Sequence, residues 1–193
     1  FLGLRTSFLI VGISAVVAVA GGGMMGLVAA YFAGPADWAL MRVVDILLAV
    51  PTLLLAVAVL AMLGPSATAL TLVLALTFMP HAARVARAAA LQVVSRDFIA
   101  SARISGVPAW RLILRHVVPN VRGILLVQLA VTMSYMLVIE SSLSFLGLGV
   151  PPPAPSVGFI IAEGRLWMEF APWPIITASA VIVLFILGLT LTG

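Results

Sequence analysis

The chain has 193 residues, of which 64% are hydrophobic and only 8% charged, against roughly 25% charged in an average soluble domain. Its formal net charge is +4 and it contains no cysteine. A soluble fold, disulfides, thiolate metal sites and cysteine nucleophiles are excluded, and what remains is an integral membrane protein largely solvated by the bilayer.

All ten basic residues are arginine. Without lysine the chain has no Walker A residue to reach nucleotide phosphates and no Schiff-base nucleophile. Residues 6–36 are free of charge, which predicts a first span within Phe8–Ala30, broken by Gly34-Pro35. Gly21, Gly23 and Gly26 match G-x-G-x-x-G, but they sit in an apolar span with no preceding strand. Gly22 and Gly26 read instead as a small-residue face for close helix packing. Asp37, Arg42 and Asp45 mark a short polar connection.

A second span is predicted over Ile46–Leu63, loosened near its start by Pro51. Gly64-Pro65-Ser66 forms a turn, and a third span covers Ala67–Pro80. Ser66 and His81 are the candidates for an intramembrane serine–histidine pair. Fifteen residues of helix put them ~22 Å apart, too far to react together. Asp37 and Asp45 lie in or beside one loop, not within a span as an aspartyl protease would need.

The stretch 81–122 differs in character. It holds Arg84, Arg87, Arg96, Arg103, Arg111, Arg115 and Arg122, with Asp97 as its only acid. Ser95 is expected to cap a helix over Arg96–Ile104, with Asp97 in its first turn where the helix dipole favours an anion. Gly106 fits the turn that closes it. Pro108 fits the first position of a second helix through Trp110, Arg111 and Arg115, which Pro119-Asn120 ends.

A fourth span is predicted over Gly123–Ile139. On it Gln128, Thr132 and Tyr135 recur at i, i+4 and i+7 and form one polar stripe. The stripe serves either as a wall of a translocation path or as hydrogen bonding between helices. Residues 140–172 form a long connection with Glu140, Glu163, Arg165 and Glu169, and with prolines 151, 152, 153 and 155. The fifth span is Trp173–Leu191.

Cytoplasmic loops of membrane proteins are enriched in arginine, so the 81–122 loop is expected inside. Alternation then places eight arginines inside and two, Arg5 and Arg165, outside. It also places Phe1 outside, which implies at least one earlier helix and, we expect, a C-terminal tail beyond the sequence.

The segment Phe98-Ile99-Ala100-Ser101-Ala102-Arg103-Ile104-Ser105-Gly106, continued by Trp110-Arg111-Leu112-Ile113-Leu114-Arg115-His116-Val117-Val118-Pro119-Asn120, resembles the EAA loop of bacterial ABC importer permeases. Ala100 stands where the family has glutamate; Ser101 and Ala102 are its two small residues, and Gly106 its glycine. Met41-Arg42-Val43-Val44-Asp45 through Pro51 is similar to a segment of the dipeptide, oligopeptide and nickel permease group. So is Glu140-Ser141-Ser142-Leu143-Ser144-Phe145-Leu146-Gly147-Leu148-Gly149 with its continuation through Gly158 and Glu163-Gly164. The group's second-type permease subunit fits best.

The resemblance implies an all-α integral membrane protein with about five transmembrane helices here and six in the intact subunit. It implies a single permease domain over 1–193, with a helix-turn-helix coupling loop at 81–122 and an outer loop at 140–172. The chain would be half of a channel in the bacterial inner membrane, importing peptides, nickel complexes or related small solutes. It would work with a second permease subunit, ATPase subunits that hold ATP and Mg, and an extracytoplasmic binding protein. It would itself bind no cofactor and catalyse no reaction. Ala100, Ser101, Ala102, Arg103, Gly106, Val107, Trp110 and Arg111 would make the ATPase contact, and Gln128, Thr132 and Tyr135 the path.

Other readings fit less well. Ala102 and Gly106 have the spacing of a DNA-binding helix-turn-helix, but spans tether the unit on both sides, so no nucleic-acid partner is expected. His81 and His116 have no acidic residues patterned around them as a metal site would. An autonomous secondary transporter should show internal repeats and mid-membrane charges, and the sequence shows neither. A membrane scaffold without transport is the remaining alternative.

Overall fold

A computed structural model describes residues 2–151 and 156–192. Helix α1 (Leu2–Phe32) and helix α4 (Ala67–Val94) form its centre. At 1.5 Å per residue each exceeds 40 Å, more than the ~30 Å hydrocarbon core requires. They run parallel in a fixed register. The Ser14 hydroxyl donates to the Thr71 carbonyl at 3.0 Å, Gly22 faces Met79 and Gly26 faces Ala83, a constant offset of 57 residues. A Cβ at Gly22 would collide with the Met79 carbonyl oxygen, and one at Gly26 with that of Ala83. The small-residue face predicted from the sequence is therefore what lets the two backbones touch.

Parallel neighbours require a return crossing, and α2 (Gly34–Ala49) with α3 (Thr52–Leu63) makes it. The predicted polar connection and straight second span are corrected here. Ala33 and Gly34 take positive φ values of 53° and 55° and reverse the chain. Pro35 then starts a helix rather than only breaking one, because its missing N–H is not needed in a first turn. Ile46–Ala49 thus belong to α2. At Val50-Pro51 the path bends by 88° before α3. If α3 crosses the bilayer, α2 lies along it.

The third span does not stop at Pro80. Helix α4 continues to Val94 with Pro80 buried inside it. Packing against α1 supports the helix where one backbone bond is lost. Arg84 and Arg87, which made the following stretch look like loop, are paired by Asp45 and Asp37 of α2.

Ser95 closes α4 and caps nothing after it; Arg96 precedes α5 (Asp97–Ile104), with Asp97 in its first turn. Helix α6 (Ala109–Leu112) follows, with Pro108 just before its first residue. Pro119-Asn120 does not end it. A π-helical turn over Ile113–Val117 joins α6 directly to α7 (Val118–Phe145). Pro119 lies directly after this π turn, inside the continuous helical rod, and does not break it. The fourth span is thus longer than predicted at both ends, and Glu140–Phe145 belong to it rather than to the outer loop.

Helix α7 runs antiparallel to α1: Leu125, near its start, lies 3.8 Å from a Cβ at Gly23, while Gly158 and Gly149 pack on Ser141 and Ser144 near its end. Helix α8 (Val157–Gly164) and a short 3₁₀ turn (Arg165–Trp167) lie within the predicted outer loop. The expected stiffening prolines 152, 153 and 155 lie outside the described residues, as does Phe1. Helix α9 (Trp173–Thr192) confirms the fifth span. It touches the bundle through Phe185, whose ring centroid is 4.1 Å from that of Phe8. Its remaining faces are apolar and open. Four straight spans and one bent pair make up to five crossings among the described residues, which contain no strand.

Candidate functional site

Two apolar clusters hold the bundle. One joins α1, α3, α4 and α7 through Val11, Leu60, Leu70, Met136 and Leu143. The other lies at the arginine-rich end and includes Leu27, Ala90, Ile99, Leu112 and Val117. Helix α5 is amphipathic at the scale of two turns. Ile99 is buried in the second cluster, while Ala100, Ser101 and Ile104 face out. The loop is therefore seated on the ends of α1, α4 and α7 and does not hang free.

The α5–α6 turn has a defined hydrogen-bond pattern. Val107 N–H donates to the Ala102 carbonyl at 3.2 Å, and Gly106 N–H to that of Arg103 at 3.1 Å. This paired closure needs a left-handed residue, and Gly106 supplies it at φ 77°. The Arg103 guanidinium is stacked on the Tyr31 ring of α1, 4.7 Å from its centroid. Arg111 lies over Trp110 at 5.3 Å. Ile104 is 88% exposed and Trp110 60% exposed, and Arg96, Arg111 and Arg115 on the same stretch of chain are exposed as well. Ala102 and Val107 are half-buried against the second cluster. The eight predicted residues thus occupy one ledge of mixed apolar and basic character.

The polar stripe of α7 faces a cavity. Gln128, Thr132 and Tyr135 form one wall of a space of about 720 Å³. The Gln128 amide donates to the Thr132 hydroxyl at 3.1 Å. Tyr135 is 63% exposed and free to turn its phenol into the space. The opposite wall comes from Phe78, His81 and Arg84 of α4 and from Leu48 and Thr52 at the α2–α3 bend. Sequence reasoning missed this wall because His81 and Arg84 read as loop. Their i, i+3 spacing was the only local sign that they share a helix face.

Beside the cavity lies a charge cluster. Arg87 holds Asp37 through two nitrogens, and Arg84 donates to Asp45 at 2.5 Å. Both acids sit on α2, so this helix is clamped to α4 by two ion pairs. At the far end of α7, Glu140 is fully buried. Ser144 donates to its Oε1 at 3.0 Å, while its Oε2 and the Ser141 hydroxyl have no partner among the described residues. Ser7 of α1 accepts from the Val157 N–H at 3.1 Å and Ser156 caps α8, so this hydroxyl-rich corner ties α1, α7 and α8 together.

This arrangement of crossing helices, bent return and seated loop defines a multi-pass helical membrane protein with an internal cavity. Residues 22–192 match the family described as binding-protein-dependent transport system inner membrane component, and the chain belongs to that family. It is similar to the di/tripeptide transport system permease protein DppC of Pseudomonas aeruginosa, at 36% identity over 191 residues, covering 99% of this chain and 63% of that one. It is also similar to the oligopeptide transport system permease protein OppC of Mycobacterium tuberculosis, at 36% identity over 193 residues, covering 99% and 66%. The chain spans about three-fifths of the length of the curated relatives it matches. Among solved structures it shares the fold of a chain of the inward-facing MetNI methionine ABC transporter. That match has a TM-score of 0.79 at 14% identity, over 98% of this chain and 90% of that one.

Proposed function

We propose that the chain is a permease subunit of an ATP-driven, binding-protein-dependent importer in the bacterial inner membrane. Its cargo is peptides or related small solutes, nickel complexes among them. A second permease subunit supplies the other half of the path, and an extracytoplasmic binding protein delivers the cargo. ATP and Mg are held by separate ATPase subunits, which meet this chain on the cytoplasmic ledge around Ala100–Arg111.

The observation that carries this reading is the ledge itself. Ile104 and Trp110 are open, with Arg111 against the Trp110 ring, and a docked partner would cover both apolar groups and pair the cation. An ATPase groove with an apolar floor and an acidic rim is its complement. Movement of the ledge reaches the path because α6, the π-turn and α7 form one continuous rod that carries Gln128, Thr132 and Tyr135. Closure of the ATPase pair would then favour one of two bundle arrangements over the other, and cargo access would alternate.

The natural absence of cysteine supplies the test. With Val107→Cys as the only cysteine, cross-linking to a co-expressed ABC ATPase bearing a groove cysteine is expected, and its yield should change when nucleotide is added. A Val107→Cys that is labelled from the cytoplasm yet cross-links to no candidate ATPase would turn the assignment toward an autonomous transporter.

A further inference from the structure

The cavity beside the polar stripe has a chemistry of its own. Its polar groups are the Arg84 guanidinium, the Gln128 amide, the Tyr135 phenol, the His81 imidazole and the hydroxyls of Thr52 and Thr132, the last accepting from Gln128, and Arg84 is the cation among them. No carboxylate lines it among the described residues. Among the described residues the acid paired with Arg84 is Asp45, which accepts from one nitrogen, Nη2, and leaves a guanidinium with five N–H groups further donors to offer. Arg84 is 59% exposed on its side chain. The rest of the lining is apolar, and a volume of about 720 Å³ is within the range of small-molecule sites.

We propose that this cavity is a discrete stop on the path that holds the carboxylate end of a transported peptide, with Arg84 as its anchor and Gln128 and Tyr135 as orienting donors. The inference rests on the permease reading above and deepens it. A guanidinium recognises a carboxylate through parallel N–H groups, and an apolar wall accepts side chains of any shape, so the stop would grip what all peptides share and ignore what differs. Asp45 competes with the cargo for Arg84. It sets the hold weak enough for release.

The test uses the assembled transporter in proteoliposomes without binding protein, with Val138→Cys, an exposed cavity-lining position outside the polar set, as the only cysteine of this chain. Labelling of that cysteine by a thiol reagent is followed as trialanine or trialanine amide is added. The acid should protect at concentrations about tenfold lower than the amide, the factor expected for one charge-assisted contact. Arg84→Gln should bring the two ligands together, Arg84→Lys should keep part of the difference, and Asp45→Asn should widen it. Gln128→Leu, which leaves the ion pair intact and should narrow the difference, gives a second reading if Arg84→Gln fails to assemble. Equal protection by acid and amide would overturn the carboxylate stop while leaving the cavity on the path. No protection by either, with uptake unchanged after a bulky label is attached, would remove the cavity from the path and overturn the carboxylate stop, while the uptake itself would leave the permease reading standing.

Discussion

A single methyl group at position 22 or 26 would force α1 away from α4, because its nearest neighbours are backbone carbonyls that cannot step aside. Gly26→Ala should cost about 1–3 kcal/mol, the usual penalty of overpacking, seen as an earlier thermal transition in detergent. Gly12→Ala, on the same helix with nothing within 4 Å of a Cβ, should leave that transition in place. Glu140 poses the opposite problem, a polar group with no water to fall back on. Glu140→Gln keeps an acceptor for Ser144 and should be tolerated. Glu140→Ala strands that hydroxyl and opens a void, and should cost about 2–3 kcal/mol by the same assay.

Helices differ in how firmly each is held. The α2–α3 return is clamped by Arg87–Asp37, whose side chains are 32% and 19% exposed, and by Arg84–Asp45, which is far more open. Asp37→Ala should therefore destabilise the bend by about 1–2 kcal/mol, and Asp45→Ala by under ~1 kcal/mol, measured as protease sensitivity near Pro51. The π-turn is the second element-level device. An α-helix turns about 100° per residue, so deleting Leu114 to restore α-helical winding would rotate the α5–α6 ledge by about that angle against α7. The protein should still insert, but ATP-dependent uptake should be lost while ATPase subunits hydrolyse without coupling.

Across the whole molecule, what the sequence made legible is what depends on neighbours along the chain. The apolar runs, the glycine face of α1, the stripe of α7 and the turn at Gly106 all follow from spacing. What was hidden depends on partners far along the chain. Asp37 meets Arg87 across 50 residues and Asp45 meets Arg84 across 39, so no local pattern announces that α4 continues past Pro80. The same blindness hid half of the cavity, since His81 and Arg84 take their meaning from α2 and α7. Pro119 misled for a related reason: like Pro80 it lies inside a helix that continues through it, here just after a π turn.

The 57-residue register of α1 on α4 also governs how the protein is made. Helix α1 enters the bilayer with its glycine groove complete and its main partner not yet synthesised. At ~5–20 residues per second, roughly 3–11 s pass before the matching stretch of α4 exists. Through that interval α1 must persist in lipid without α4, and its mean hydropathy of 2.2 is what keeps it there. The groove is open to any small-residue helix during that time. Its quality control is therefore temporal: α4 must arrive before a foreign span does.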